Sequence, residues 1–284
     1  MNIIVESSWI KVKEEFIKDG KKLIVIGSSD SGKSTFIFYM LKELFKKGKK
    51  VGILDLDIGQ SNIGPPGTIG FGIIDKDVNS LNEIEPKKIF FIGSVSPKGN
   101  FLQIIVGAYK LIKEMENMNL DYILIDTTGL VDGYIAEVLK YNKIDILNPN
   151  FIVIFEKDKE RENIIKPFLY DGRKIFRLIP SGNVVERSRL ERIEYRNKRF
   201  KDYFMYSKRV EIHFKESNII GYDLKKFIPP KNSIVGLLDK DRFLICLGIL
   251  ESINIEKNFI MVLTPTKDQK NIKFIKFSNL IYLP

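Results

Sequence analysis

A lysine and a hydroxyl at the mouth of a glycine loop can grip a phosphate chain, and this sequence carries both. Residues Gly27-Ser28-Ser29-Asp30-Ser31-Gly32-Lys33-Ser34 fit the pattern G-x-x-x-x-G-K-[ST]. The glycines let the loop close so that backbone N–H groups point inward at the phosphates. Lys33 supplies a long cation for the β- and γ-phosphates, and Ser34 a hydroxyl for Mg²⁺. The apolar run Lys22–Gly27 reads as a buried strand entering the loop, and Ser34–Lys47 as the helix leaving it. The positive end of that helix faces the phosphates. Gly27 to Thr35 are therefore the expected nucleotide-binding residues.

Two acidic strand ends follow. The strand Val51–Asp57 closes on Asp55 and Asp57 and opens into the Gly- and Pro-rich segment Ile58–Gly67. Residues alternate faces along a strand, so Asp55 and Asp57 are expected to point the same way. Acids beside a phosphate site hold Mg²⁺, directly or through water, or take a proton from an attacking hydroxyl. Asp57 carries this expectation more strongly than Asp55. Gln60 is placed to orient a nucleophile or hold a substrate phosphate. A second apolar strand, Tyr122–Asp126, ends in Asp126 and leads into Thr127, Thr128 and Gly129. Asp126 competes with Asp57 for the metal, and the sequence alone does not separate them. The threonines and Gly129 form a loop that can touch the γ-phosphate or the acceptor.

The arginines are segregated. None precedes Arg161, and five fall in the segment Arg187–Arg199. Read as a helix over Glu186–Phe204, this segment places Leu190, Ile193, Phe200 and Phe204 on an apolar stripe. Arg189, Arg192, Arg196 and Arg199 lie on a basic one, at steps of three and four. Such a stripe repels itself unless anions sit on it or nearby acids such as Glu191 and Glu194 neutralise it. Guanidinium groups suit phosphate clamping, so the helix is expected to be a lid.

The elements that position these groups alternate strand and helix from Lys21 to about Phe204. Continuous apolar strands at Leu23–Ile26, Val51–Asp57, Lys88–Gly93, Tyr122–Asp126, Phe151–Phe155 and Lys174–Ile179 predict a parallel sheet covered by helices on both faces. In such α/β folds ligands bind at the carboxyl ends of the strands, where every motif above falls. The loop Pro180–Asn183 is expected near the nucleotide base. Residues 1–20 read as a short N-terminal segment with an amphipathic helix burying Trp9, Ile10, Val12, Phe16 and Ile17. After Phe204 the period changes to two, helices vanish, and residues 205–284 read as a small all-β C-terminal domain, barrel or sandwich. The domains expected are thus 1–20, 21–204 (P-loop) and 205–284.

Composition excludes several classes. The 44% hydrophobic content supports a folded core. No apolar run approaches a membrane span and no signal peptide is evident, so no membrane role is expected. The single cysteine, Cys246, excludes an internal disulfide and, without a secretion signal, points to the cytoplasm. The single histidine, His213, cannot build a histidine metal site. The net charge of +10 favours a polyanionic partner such as nucleic acid.

Taken in order, the P-loop ending Gly32-Lys33-Ser34-Thr35, the D-x-D-x-G-Q of Asp55–Gln60, the T-x-G of Thr127–Gly129 and the R-x-x-x-R of Arg192–Arg196 resemble the polynucleotide 5′-hydroxyl kinases. These are related to the kinases of eukaryotic pre-mRNA cleavage and pre-rRNA processing, and the compact archaeal members are most similar. The resemblance implies phosphoryl transfer from ATP, with Mg²⁺, to the 5′-hydroxyl end of RNA or DNA, in company with RNA-processing proteins. It makes Lys33, Asp57, Arg192 and Arg196 catalytic, and Gln60, Thr127, Thr128 and Gly129 substrate-binding. Ser34, Asp57 and Asp126 would serve the metal. Two departures stand out. Leu130 follows the clasp glycine where eukaryotic relatives often have Trp, and residues 1–20 stand in place of a larger N-terminal domain. An ATP-loaded scaffold with little turnover is the alternative. A GTPase reading meets the letters Asn142-Lys-Ile-Asp145, but these precede their strand instead of following one.

Overall fold

The computed structural model describes residues 4–182, 187–215, 218–266 and 269–283. Seven strands form the larger sheet: β1 (Lys22–Gly27), β2 (Val51–Leu56), β3 (Thr68–Ile73), β4 (Pro86–Phe91), β5 (Tyr122–Thr127), β6 (Phe151–Phe155) and β7 (Lys174–Leu178). Their order is β4-β3-β2-β5-β1-β6-β7. β2, β5, β1, β6 and β7 run parallel, as continuous apolar strands buried on both faces must. β3 is the exception: it runs antiparallel to both β2 and β4. The sequence reading passed over β3, because Gly70 and Gly72 interrupt its apolar pattern.

Helices cover both faces. On one side α1 (Ser7–Asp19) and α2 (Lys33–Lys46) pack over β1, β5 and β6. Trp9 meets Phe36 and Phe155 edge-on, and Phe16 meets Phe151. The N-terminal helix is thus part of this core. Ile10 is exposed and Ile17 only partly buried, so the buried stripe is narrower than the sequence suggested. On the other side lie α3 (Phe101–Glu116), α4 (Tyr134–Leu147) and α5 (Glu162–Ile165). The letters Asn142–Asp145 fall inside α4, with Lys143 fully buried, which removes the guanine-reading interpretation.

α6 (Arg189–Phe204) leads to a second sheet of six strands: β8 (Lys208–His213), β9 (Ile219–Ile220), β10 (Ser233–Leu238), β11 (Leu244–Asn254), β12 (Phe259–Thr264) and β13 (Phe274–Ile281). The order is β8-β12-β11-β10-β13-β9, antiparallel except for β13 with β9. Among the described residues these six strands form one hydrogen-bonded sheet. One apolar cluster runs from Val210 and Ile212 on β8 to Ile275 and Phe277 on β13, and buried Cys246 belongs to it.

The two sheets are joined by side chains that also brace the site. Phe91 at the end of β4 packs with Phe200 and Phe204 of α6 and with Ile234, Leu247 and Ile249 of the second sheet. Lys276 of β13 donates to the carbonyls of Phe91 and Ile92 and to Gln103, and its burial pushes its pKa down to about 8. Phe243, in the turn between β10 and β11, joins the core of the larger sheet. The C-terminal end of α6 is therefore anchored on the second sheet while its N-terminal end projects toward the phosphate loop.

α4 buries two lysines completely, Lys140 and Lys143. Lys143 has no hydrogen-bond partner for its amine among the described residues. Burial pushes its pKa from 10.5 down to about 8, partly resisted by Asp57, Asp55 and Asp126. The native state therefore binds fewer protons than the unfolded chain between those values, so stability rises with pH across that window. Lys143→Met is expected to stabilise the protein by about 1–3 kcal/mol at pH 7. The gain over wild type should shrink as pH rises from about 8 toward 10.5, read by thermal melts at stepped pH.

Candidate active site

The carboxyl ends of β1, β2 and β5 open into one cleft of about 940 Å³. Ser29 to Thr35, Asp57, Gln60, Thr128, Gly129, Arg192 and Arg196 line it. Gly27, Ser28, Asp126 and Thr127 stand behind that lining. Gly27 packs so closely on Phe155 that an added Cβ would lie 2.8 Å from its side chain.

The phosphate loop bends through two left-handed residues, Asp30 (φ 53°) and Gly32 (φ 92°), and Gly32 caps α2. α2 has no acid in its first turn, so its N-terminal N–H groups are left for an anion. Lys33 is buried, and its amine donates to the carbonyl of Ser28 at 2.5 Å. Burial lowers its pKa, opposed by Asp126, Asp57 and Asp30. Ser34 Oγ donates to Asp126 Oδ2 at 2.5 Å. Asp126 is fully buried, which raises its pKa against the pull of Lys33 and the Ser34 hydroxyl.

The two acids of the β2 end have different work. The strand stops at Leu56, so alternation no longer governs Asp57, contrary to the shared orientation expected of the pair. Asp55 is buried and bonded within the chain. Its Oδ1 accepts from the Asp57 amide, and its Oδ2 from the amides of Asn62 and Ile63 and the hydroxyl of Ser61. Burial, then repulsion by Asp126 and Asp57, pushes its pKa up to about 7. Asp55 shapes the loop. Asp57 lines the cleft, and its Oδ1 accepts from the Gly59 and Gln60 amides. Asp55→Ala would orphan three backbone donors and is expected to lower stability by at least about 2 kcal/mol in urea unfolding.

The clasp sits against the phosphate loop. A Cβ on Gly129 would fall 2.4 Å from the Ser29 amide nitrogen, so only glycine allows this approach. Thr128 faces the cleft, while Thr127 points to the opposite side of the sheet and bonds the Val25 carbonyl at 2.7 Å. Thr127 is thus not brought to the cleft with the other expected substrate residues.

The arginine helix arrives from above. Ser188 and Glu191 form a capping box, so Glu191 serves the helix end and not the arginine stripe. The expected start at Glu186 lies outside the described residues, as does Asn183; Ser181 of the same loop lines the cleft. Leu190 is exposed, while Phe200 and Phe204 are buried as expected. Arg192 Nη2 pairs with Asp30 Oδ2 at 2.6 Å. Arg196 lines the cleft, and burial plus repulsion from Arg192 and Arg189 lowers its pKa. Arg199 instead donates to the Gly64 carbonyl at 2.7 Å and anchors the helix to the loop after β2. Arg187 was missed as a site residue: its side chain donates to Gln60 at 3.1 Å and its amide to Asp30 at 3.2 Å. The signal was Asp30 itself, since an acid inside a phosphate loop needs a cation beside it. Trp9, at the cleft's edge, was missed because the sequence marks it only as core.

A glycine loop, the strand-end acid Asp57 and a helix-borne arginine pair around one cleft define a P-loop nucleotide-binding protein. Residues 27–206 match the model of the mRNA cleavage and polyadenylation factor CLP1 P-loop family, and the chain belongs to that family. It is 34% identical to the polyribonucleotide 5′-hydroxyl-kinase of Methanocaldococcus jannaschii, over 93% of this chain and 88% of that one. It is 31% identical to the polyribonucleotide 5′-hydroxyl-kinase of Pyrococcus abyssi, over 94% and 89%. A chain of the solved wild-type Clp1p–Pcf11p complex superposes with a TM-score of 0.74 at 13% identity, covering 97% of this chain and 79% of that one. That likeness spans both sheets and shows the fold. Among the described residues, no helix is long and apolar enough to cross a membrane.

Proposed function

We propose that this protein transfers the γ-phosphate of ATP to the 5′-hydroxyl end of a polynucleotide, RNA in the first place. The observation that carries the proposal is the Arg192–Asp30 pair, which sets the arginine lid directly on the phosphate loop. The names of its relatives support the same reaction and the same acceptor. Lys33 exchanges the Ser28 carbonyl for the β- and γ-phosphates. Asp57, lining the same cleft, takes the proton from the attacking 5′-hydroxyl, with Gln60 and Thr128 holding the acceptor. Arg192 and Arg196 stabilise the charge that develops on the transferred phosphoryl.

The donor set also fits Mg²⁺. Ser34 Oγ, Asp126 and Asp57 offer hard oxygens beside the phosphate loop. Among the described residues, no group of three or more His, Cys, Asp or Glu side chains is gathered to hold a metal. Held there, the ion would supply positive charge against the phosphate chain. An RNA-processing protein is the proposed partner class, since the fold neighbour was solved in complex with Pcf11p.

The test is label transfer from γ-labelled ATP to paired oligonucleotides, one with a 5′-hydroxyl and one already 5′-phosphorylated. Label on the first alone is expected. Label on neither, or on both, contradicts the proposal.

A further inference from the structure

Lys140 lies fully buried on α4, outside every motif of the site. Its amine donates to Thr127 Oγ1 at 2.8 Å and to the Thr128 carbonyl. Thr127 Oγ1 in turn donates to the Val25 carbonyl on β1, two residues before the phosphate loop begins. One amine thus ties the end of β5 to the strand that launches the loop. Downstream, Arg161 Nη1 holds Asp132 at 3.0 Å. Between these two ties, Gly129 presses on Ser29, and the Thr128 hydroxyl has no hydrogen-bond partner among the described residues. That hydroxyl belongs to a cleft-lining residue, so its aim depends on the backbone Lys140 grips.

Burying an amine without a carboxylate partner is expensive. Leucine or methionine would fill the same space without that penalty. The amine donates to both acceptors whether protonated or neutral, so the contact does not depend on its charge. We propose that Lys140 is a positioning residue for the phosphoryl transfer. It fixes the Thr127–Gly129 turn so that Thr128 meets the acceptor in register with the phosphate loop. The proposal rests on the kinase reading above. It touches neither substrate itself, so its loss should appear in kcat and not in ATP binding.

The experiment compares Lys140→Met, Lys140→Gln and Lys143→Met with wild type. Lys143 is a control of equal burial on the same helix, one turn away, with no bond to the clasp. Melting temperature, ATP dissociation constant and kcat with a 5′-hydroxyl oligonucleotide are measured for each. Lys140→Met should melt no lower than wild type, bind ATP within about twofold, and lose about a hundredfold in kcat, as a small misplacement of a reacting group can do. Lys140→Gln, which keeps an N–H donor, should recover part of that loss. Lys143→Met, which removes a charge that Asp57 and Asp126 feel but no bond to the clasp, should lose far less kcat than Lys140→Met. Unchanged kcat in both Lys140 variants would overturn the proposal. So would an equal kcat loss in Lys143→Met, or a parallel loss of ATP affinity. If Lys140→Met fails to fold, Lys140→Gln decides by the same split. A wild-type protein without transfer would overturn the kinase reading and this inference together, whereas failure in the variants alone leaves the kinase reading standing.

Discussion

Lys33→Ala is expected to reduce phosphate transfer by about a thousandfold while the protein melts no lower than wild type. Lys33 is already desolvated and held inside the loop by the Ser28 carbonyl. Burial lowers its pKa, and Asp126, Asp57 and Asp30 oppose that shift. A cation placed this way needs little reorganisation when charge develops on the phosphoryl group, which is where preorganised electrostatics act most strongly. Its removal deletes a buried charge from the fold, so folding should not suffer. Single-turnover transfer at saturating protein isolates the chemical step. A loss of less than about tenfold would place the phosphate charge elsewhere.

Arg192→Ala is expected to lower kcat by about three orders of magnitude, the range found for arginines that contact a transferring phosphoryl. Here the loss has two parts. The guanidinium disappears, and Asp30 loses its charged partner, keeping only the Arg187 amide. The second part acts on the bound nucleotide in the ground state. Asp30→Asn in the Arg192→Ala background should therefore restore ATP affinity and leave kcat low. Arg192→Lys should not restore kcat, because a point charge does not reproduce the planar fork. The double-mutant cycle measures both parts: recovery of kcat by Asp30→Asn would mean that Arg192 serves only to neutralise Asp30.

Much of this was legible in the residue pattern, for identifiable reasons. The parallel strands read correctly because burial on both faces leaves unbroken apolar runs such as Leu23–Ile26 and Phe151–Phe155. The phosphate loop read correctly because its backbone geometry demands specific residue types. β3 was hidden because a strand carrying Gly70 and Gly72 has neither an unbroken run nor alternation. The division of labour between Asp55 and Asp57 was hidden because strand alternation holds only within a strand, and β2 ends between them. Arg199 read as a phosphate ligand from its helical spacing, yet its partner is the Gly64 carbonyl, far away in sequence. Lys140 and Lys143 gave no signal at all. On α4 they occupy positions where lysine normally faces water, and only the packing of α4 on the sheet makes them interior.

Enzyme and nucleotide-loaded scaffold would share this cleft, and turnover separates them. The most direct measurement is the number of oligonucleotide 5′ ends phosphorylated per protein molecule, with wild type and Lys33→Ala assayed side by side from γ-labelled ATP and Mg²⁺. The account predicts many ends per wild-type molecule and almost none for the variant. ATP bound by the wild type with no ends phosphorylated, or equal counts for both proteins, would contradict it.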